Sequence, residues 1–270
     1  MGKTAEPTVL PSLIITTYNW KEALSLTLMS VLQQTQAPLE VIIADDGSKE
    51  DTGQMVRAFA EKAAFPIRHV WQEDTGFRLA QIRNRAIAAA RGNYIILIDG
   101  DIIIERHFIA DHIATARTNF LLQGSRVLLS SACSNKLLAS QTLPTCFFST
   151  GVANRKNCLR SPLLSGIFSW NSTNYMHVRT CNFSFWKNDA IAVNGFDEKF
   201  VGWGREDSEF TARMLYYGIR RRNICFRATA YHLYHPMNDR GQLTANDHLL
   251  WQTVKNKLTW CDNGLAEYLT

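Results

Sequence analysis

An α/β fold built on a mostly parallel sheet, with helices on both faces, is predicted by two features of the first hundred residues. Four short apolar runs, Ser12 to Thr17, Glu40 to Ala44, Ile67 to Trp71 and Tyr94 to Ile98, have the length and β-branched content of buried strands. The stretches between them carry apolar residues at helical spacing. Leu24, Leu28, Val31 and Leu32 recur at i, i+4, i+7 and i+8, and Met55, Phe59 and Ala63 recur every four residues. Strand and helix in alternation imply right-handed crossovers between parallel strands.

Beyond residue 100 the elements are spaced differently. From about Cys133 to Tyr175 the chain is rich in Ser, Thr, Asn, Pro and Gly with scattered aromatics, among them Phe147, Phe148, Phe168 and Trp170, and an irregular insertion is expected. Regular structure is predicted to return at Cys181 to Trp186, as a helix from about Asp207 to Tyr217, a strand from Cys225 to Tyr234 and a last helix from Asn246 to Leu258. All 270 residues are expected to form a single domain with two halves, about 10–131 and about 132–270.

Composition narrows the class. With 46% hydrophobic and 20% charged residues the chain can bury a full core. No run approaches the roughly 18 apolar residues of a membrane span, and Met1 to Pro11 lacks the apolar centre of a secretory signal. A cytoplasmic protein, peripheral at the inner face of the cytoplasmic membrane, is expected. The six cysteines form no Cys-x-x-Cys, which speaks against a thiolate zinc site and for reduced thiols. Net charge is +5, and residues 112 to 188 hold no Asp or Glu while carrying Arg117, Arg126, Lys136, Arg155, Lys156, Arg160, Arg179 and Lys187. Such a segment attracts phosphate, so an anionic membrane or a phosphorylated acceptor is a candidate partner. Nucleic acid is not expected, because no recognition-helix, zinc-finger or RNA-binding signature accompanies the charge.

Ligands of parallel α/β sheets bind beyond the carboxyl ends of the strands. Here those ends read Thr16-Thr17-Tyr18-Asn19, Asp45-Asp46-Gly47-Ser48 and Asp99-Gly100-Asp101. Neither a Gly-x-Gly-x-x-Gly turn nor a Gly-Lys-Ser/Thr phosphate loop is present, so a nucleotide bound here is held by side chains. Two carboxylates one residue apart at Asp99 and Asp101 offer hard oxygen ligands that hold a divalent ion against phosphate.

These three motifs, with Gly76-Phe77-Arg78 and Arg83-Asn84-Arg85-Ala86, resemble the family 2 glycosyltransferases with the GT-A fold, a Rossmann-like sheet. Asn182-Phe183-Ser184-Phe185, Asn194-Gly195-Phe196-Asp197 and Gly202-Trp203-Gly204-Arg205-Glu206-Asp207 look like the carboxyl-terminal module of the β-1,4-galactosyltransferase and chondroitin-polymerase group, an acceptor-binding half. The resemblance covers roughly residues 12 to 235 with the insertion as a gap. It implies a UDP-sugar donor, a glycan or glycolipid acceptor, and Mn²⁺ or Mg²⁺ as cofactor.

Residue by residue, the resemblance implies that Thr16 lies beside the nucleoside and Asp46 binds the uracil edge, with Asp45 as neighbour. Arg78 meets the diphosphate. Arg83 is a second candidate for that task, with a solvent-facing position on the following helix as the alternative. Asp101 is implied as direct metal ligand, while Asp99 orients the ribose or a metal-bound water. A metal-binding His is implied at His232 or His235; residues three apart on a continuous strand face opposite sides, which favours one of the two, and His232 lies deeper in the run. Asp207 is implied as general base, with Glu206 and Trp203 on the acceptor. Acidic residues in the first helical turn also complement the helix dipole, but Trp203 between two glycines is something a helix cap does not require. The expected activity is an inverting, metal-dependent transfer of a hexose or N-acetylhexosamine to a hydroxyl of a bacterial surface glycan such as lipopolysaccharide core or capsule. The alternative is a catalytically silent glycan-binding or scaffold protein on the same fold.

Overall fold

The computed structural model describes residues 7–143, 151–236 and 239–269; Cys146, Phe147 and Phe148 of the insertion lie outside the described residues. The first half runs β1 (Pro11–Thr17), α1 (Lys21–Leu32), β2 (Glu40–Asp45), α2 (Glu50–Ala60), β3 (Ile67–Trp71), α3 (Leu79–Ala89) and β4 (Tyr94–Asp99). It continues through β5 (Ile102–Ile104), α4 (Phe108–Thr115), β6 (Phe120–Gln123), β7 (Val127–Leu129) and α5 (Ser131–Ser140). The second half holds β8 (Val152–Ala153), α6 (Pro162–Phe168), β9 (Trp170–Ser172), β10 (Phe183–Trp186) and α7 (Lys187–Ala192). Then come α8 (Glu206–Tyr217), β11 (Arg220–Asn223), β12 (Ala230–His232) and α9 (Leu243–Asn256).

The large sheet has the order β3-β2-β1-β4-β10-β6-β11-β9 among the described residues. β1 to β4 pair in parallel, as the alternation predicts, and β10 enters antiparallel between β4 and β6. Strand alternation divides the core in two. Leu13, Ile15, Val41 and Ile43 face α1, α2 and α4 through Leu24, Leu28, Val31, Val56 and Phe108. Ile14, Ile42, Ile95 and Leu97 point the other way, toward Ala80, Ile82 and Ala86 of α3 and Phe210 and Met214 of α8. A second sheet, β5-β12-β7-β8, sits at the carboxyl end of β4.

Two expectations are corrected. The 133–175 segment carries helices: α5 starts at Ser130, whose side chain accepts from the Cys133 N–H, and α6 starts at Ser161, which accepts from Leu164 N–H with Pro162 in the first turn. The strand expected over 225–234 is confined to Ala230–His232, because Phe226 and Ala228 adopt left-handed backbone (φ 57° and 50°) that no strand tolerates. Arg220–Asn223 pairs in parallel with β6 instead, a strand without apolar alternation.

One buried polar chain fixes the second half against the first. The two Asn182 Nδ2 protons are donated to the Ser125 and Ala228 carbonyls at 2.8 Å, so Asn182 Oδ1 accepts from His112 Nε2 at 3.0 Å. His112 Nδ1 then accepts from Ser184 Oγ, which accepts from Tyr94 Oη, both at 2.8 Å. Asn182 thereby holds the approaches to Arg126 and to β12.

Candidate active site

A cavity of about 850 Å³ opens at the carboxyl ends of β1 and β4. β1 supplies Thr16, the β4–β5 turn supplies Asp99 to Asp101, α3 supplies Arg83, α8 supplies Glu206 and Asp207, and β12 with its following turn supplies His232 and His235.

Asp101 and both histidines converge. His232 Nε2 lies 3.6 Å and His235 Nε2 3.5 Å from Asp101 Oδ2, and one ligand atom from each residue falls within 4.8 Å of the others. Pairing explains the first approach: His232 sits opposite Ile102, and Leu233 N–H donates to the Asp101 carbonyl at 3.0 Å. The second follows because the strand ends at His232, so the argument from a continuous strand does not apply and His235 turns back toward the same point. Gly100 lets the two carboxylates sit close to β1, since a Cβ there would crowd the Thr16 carbonyl at 3.0 Å. Asp101 Oδ1 is buried without a hydrogen-bond partner, and burial with the nearby Asp99 carboxylate drives the Asp101 carboxyl well above its usual range. Burial, with Arg126 close by, lowers His232 to about 4 and keeps its imidazole neutral. An orphaned carboxylate oxygen and two imidazole rings form a donor set that fits a divalent cation.

Asp99 is not part of this triad. Its Oδ1 accepts from Thr16 Oγ1 at 2.8 Å and lies 3.6 Å from Arg83 Nη2. Asp46 Oδ1 accepts from Gln72 and Oδ2 from the Arg78 backbone N–H at 2.8 Å, while burial raises its carboxyl. Asp45 has a structural role. It caps the turn at the Ser48 N–H and pairs with His69 at 2.8 Å, fully buried and outside the cavity lining. Arg78 donates from its guanidinium to the Glu73 carbonyl at 2.8 Å, beside Phe77 and Leu79, which line the cavity.

Arg83, by contrast, is 1% exposed and does not face solvent. Its guanidinium donates to Glu206 at 3.1 Å and Thr180 Oγ1 at 2.6 Å and reaches toward Asp99, so it joins the β4 rim to the start of α8. Glu206 is committed to that contact. Asp207 Oδ1 accepts from the Ser208 N–H at 2.7 Å, and burial with the adjacent Glu206 carboxylate pushes the Asp207 carboxyl up to about 7 against the pull of Arg83. A carboxyl held near neutrality on a cavity wall is suited to proton transfer. The loop before it is unusual: Gly202, Gly204 and Arg205 all have positive φ (75°, 105° and 80°), and Asn246 Nδ2 pins the Val201 and Gly204 carbonyls. Trp203, 38% exposed on this loop, has the Arg240 guanidinium 5.0 Å from its ring centre.

Arg126 and Trp20 also line the cavity, and neither was singled out as a site residue from sequence. Arg126 was visible only as one charge in the acid-free segment. Trp20, just ahead of α1, packs edge-on against His235 at 6.3 Å, a contact no local motif announces.

The family model described as Glycosyl transferase family 2 matches residues 12–163, more than half of the chain. The chain belongs to glycosyl transferase family 2. The model for the N-terminal domain of galactosyltransferase matches residues 168–236, which contain the α8 loop, Glu206, Asp207, His232 and His235. Among curated members, chondroitin synthase of Escherichia coli is 30% identical over 244 residues, 82% of this chain and 34% of that protein. Validoxylamine A glucosyltransferase of Streptomyces hygroscopicus subsp. limoneus is 29% identical over 81% of this chain and 50% of its own length. The chain thus spans a third to a half of these two relatives. S. aureus TarS 1-349 superposes with a TM-score of 0.62 at 16% identity, covering 96% of this chain and 68% of that one. The mannosyltransferase PcManGT of Pyrobaculum calidifontis, solved with GDP-Man and Mn2+, superposes with a TM-score of 0.58 at 18% identity, covering 88% and 61%. These likenesses show the GT-A fold.

Proposed function

We propose that the chain is an inverting, metal-dependent glycosyltransferase that moves a hexose or N-acetylhexosamine from a UDP-sugar to a hydroxyl of a bacterial surface glycan. One observation carries this reading: the Asp101, His232 and His235 triad and the near-neutral Asp207 face one cavity and are linked through Asp99, Arg83 and Glu206. Family membership and the UDP complex solved for TarS support the nucleotide-sugar donor, and the chondroitin synthase relative supports a glycan acceptor.

Asp46 would receive the nucleobase at the end of β2, and Thr16 with Asp99 would take the ribose. Asp101, His232 and His235 would hold the cation, and two imidazole nitrogens favour Mn²⁺ over Mg²⁺, which prefers an all-oxygen shell. A bound cation supplies Lewis-acid stabilisation of the diphosphate leaving group. Trp203 offers an apolar face to the acceptor sugar. Asp207 takes the proton of the acceptor hydroxyl as its oxygen forms the bond to the anomeric carbon and the bond to UDP breaks, which inverts that centre in one displacement. Glu206 and Arg83 hold the Asp207 backbone at the reacting hydroxyl. The whole chain acts as one domain in this reading, at the cytoplasmic side of the membrane.

A panel of nucleotide sugars with Mn²⁺ and glycan acceptors tests it. UDP should be released from a UDP-hexose or UDP-N-acetylhexosamine in an acceptor-dependent way. Tight glycan binding with no donor turnover across the panel would overturn the reading in favour of a silent binding protein.

A further inference from the structure

Solvent-facing apolar side chains gather at one edge of the large sheet. Leu163 and Ile167 lie four residues apart on α6, hence on one face, and are 77% and 67% exposed; Phe168 and Trp170 are each 54% exposed. Phe168 and Trp170 follow directly on this helix face: Phe168 packs edge-on against Phe226 at 5.7 Å and Trp170 pairs with Asn223 on the outermost strand pair, β9 and β11. Isolated exposed apolar residues are ordinary in any protein, but a run of four on one ridge is not.

The rim of this ridge is positive. Residues 112 to 188 contain no carboxylate, and Arg155 and Lys156 are exposed. Arg222 donates to Asn171 beside Trp170, with Arg117 close enough to repel it. The nearest upstream acid, Asp111, is buried and already bound by Arg160 at 2.7 Å and Arg227 at 3.4 Å. That pairing removes Arg160 from the free charge expected from sequence. It also neutralises the Asp111 carboxylate. A twofold self-association through the ridge would bring two positive rims together, which disfavours a second copy as occupant.

We propose that the α6 ridge docks on an anionic lipid surface, with Leu163, Ile167, Phe168 and Trp170 entering the interface and Arg155, Lys156, Arg117 and Arg222 meeting the headgroups. No helix among the described residues is long and apolar enough to cross a membrane, so the contact is interfacial. The chain runs from Trp170 on the ridge to His177 and Arg179 on the cavity wall within nine residues. If the transferase reading holds, a lipid-anchored acceptor would be presented close to Asp207.

Co-sedimentation with phosphatidylcholine vesicles, with and without phosphatidylglycerol, tests the proposal on the full chain. The parent should bind the anionic vesicles and leave the neutral ones. Leu163→Ser with Ile167→Ser should weaken binding about tenfold or more. Arg155→Ser with Lys156→Ser should weaken it about fivefold per charge, the equivalent of ~1 kcal/mol for each basic residue. Both variants should keep the parent's melting temperature and UDP affinity. Equal sedimentation of parent and variants would overturn the proposal, as would a parent dimer that binds no vesicle and that the Leu163 and Ile167 changes dissociate. Failure here leaves the cavity reading intact, because UDP release with a soluble acceptor does not involve the ridge.

Discussion

At Asp207, burial and the Glu206 carboxylate outweigh the attraction of Arg83, and the carboxyl settles near 7. A base works only when deprotonated, so turnover should rise with pH through about 7 and then level. Asp207→Asn should lower turnover by about 10² to 10⁴, the usual loss for a positioned general base, and abolish that pH limb. The sign for stability is opposite. A carboxyl whose folded pKa is raised above its unfolded value weakens folding once ionised, so the Asn variant should melt at or above the parent temperature at pH 8. Turnover, UDP-sugar affinity and melting temperature measured together separate the cases. Near-parental turnover, or activity lost in proportion to stability, would remove Asp207 from the chemistry.

Among the elements, α7 carries a second titratable feature. Asp189 Oδ2 is buried without a hydrogen-bond partner, and desolvation pushes the carboxyl up to about 6. Its folded pKa exceeds the unfolded one, so its contribution to stability is present below about pH 4 and lost as pH rises through 6. Asp189→Asn should therefore raise the melting temperature at pH 7.5 and match the parent near pH 4; an equal difference at both pH values would contradict the desolvation account. Strands β1, β2 and β4 were legible because buried parallel strands are continuous β-branched runs; β3, Ile-Arg-His-Val-Trp, is only partly buried, and all four were located to within a residue. Arg220–Asn223 was not, because its pairing with β6 leaves no hydrophobic pattern in an Arg-Arg-Arg-Asn run. The caps at Ser130 and Ser161 were readable signals, masked by the polar composition around them.

Across the whole molecule, the site is assembled from two distant stretches of chain: α3 with the β4 turn, and the α8 loop with the end of β12. Motifs singled out Asp101, His232, Glu206 and Asp207 as candidates because each lies at or beside the end of an element. Arg83 was undervalued, since its helix is weakly amphipathic and its burial depends on α8 closing over it from 123 residues away. The convergence of both histidines depended on β12 stopping at His232, a point that the apolar run continuing through Tyr234 does not mark. The account stands or falls on one cation linking this triad to a nucleotide. Calorimetric titration of UDP with and without Mn²⁺, on the parent and on Asp101→Asn, tests that most directly. The parent should bind UDP more tightly with Mn²⁺, Asp101→Asn should lose that difference, and His232→Ala and His235→Ala should each reduce it. UDP affinity in the parent that is indifferent to Mn²⁺ would contradict the account.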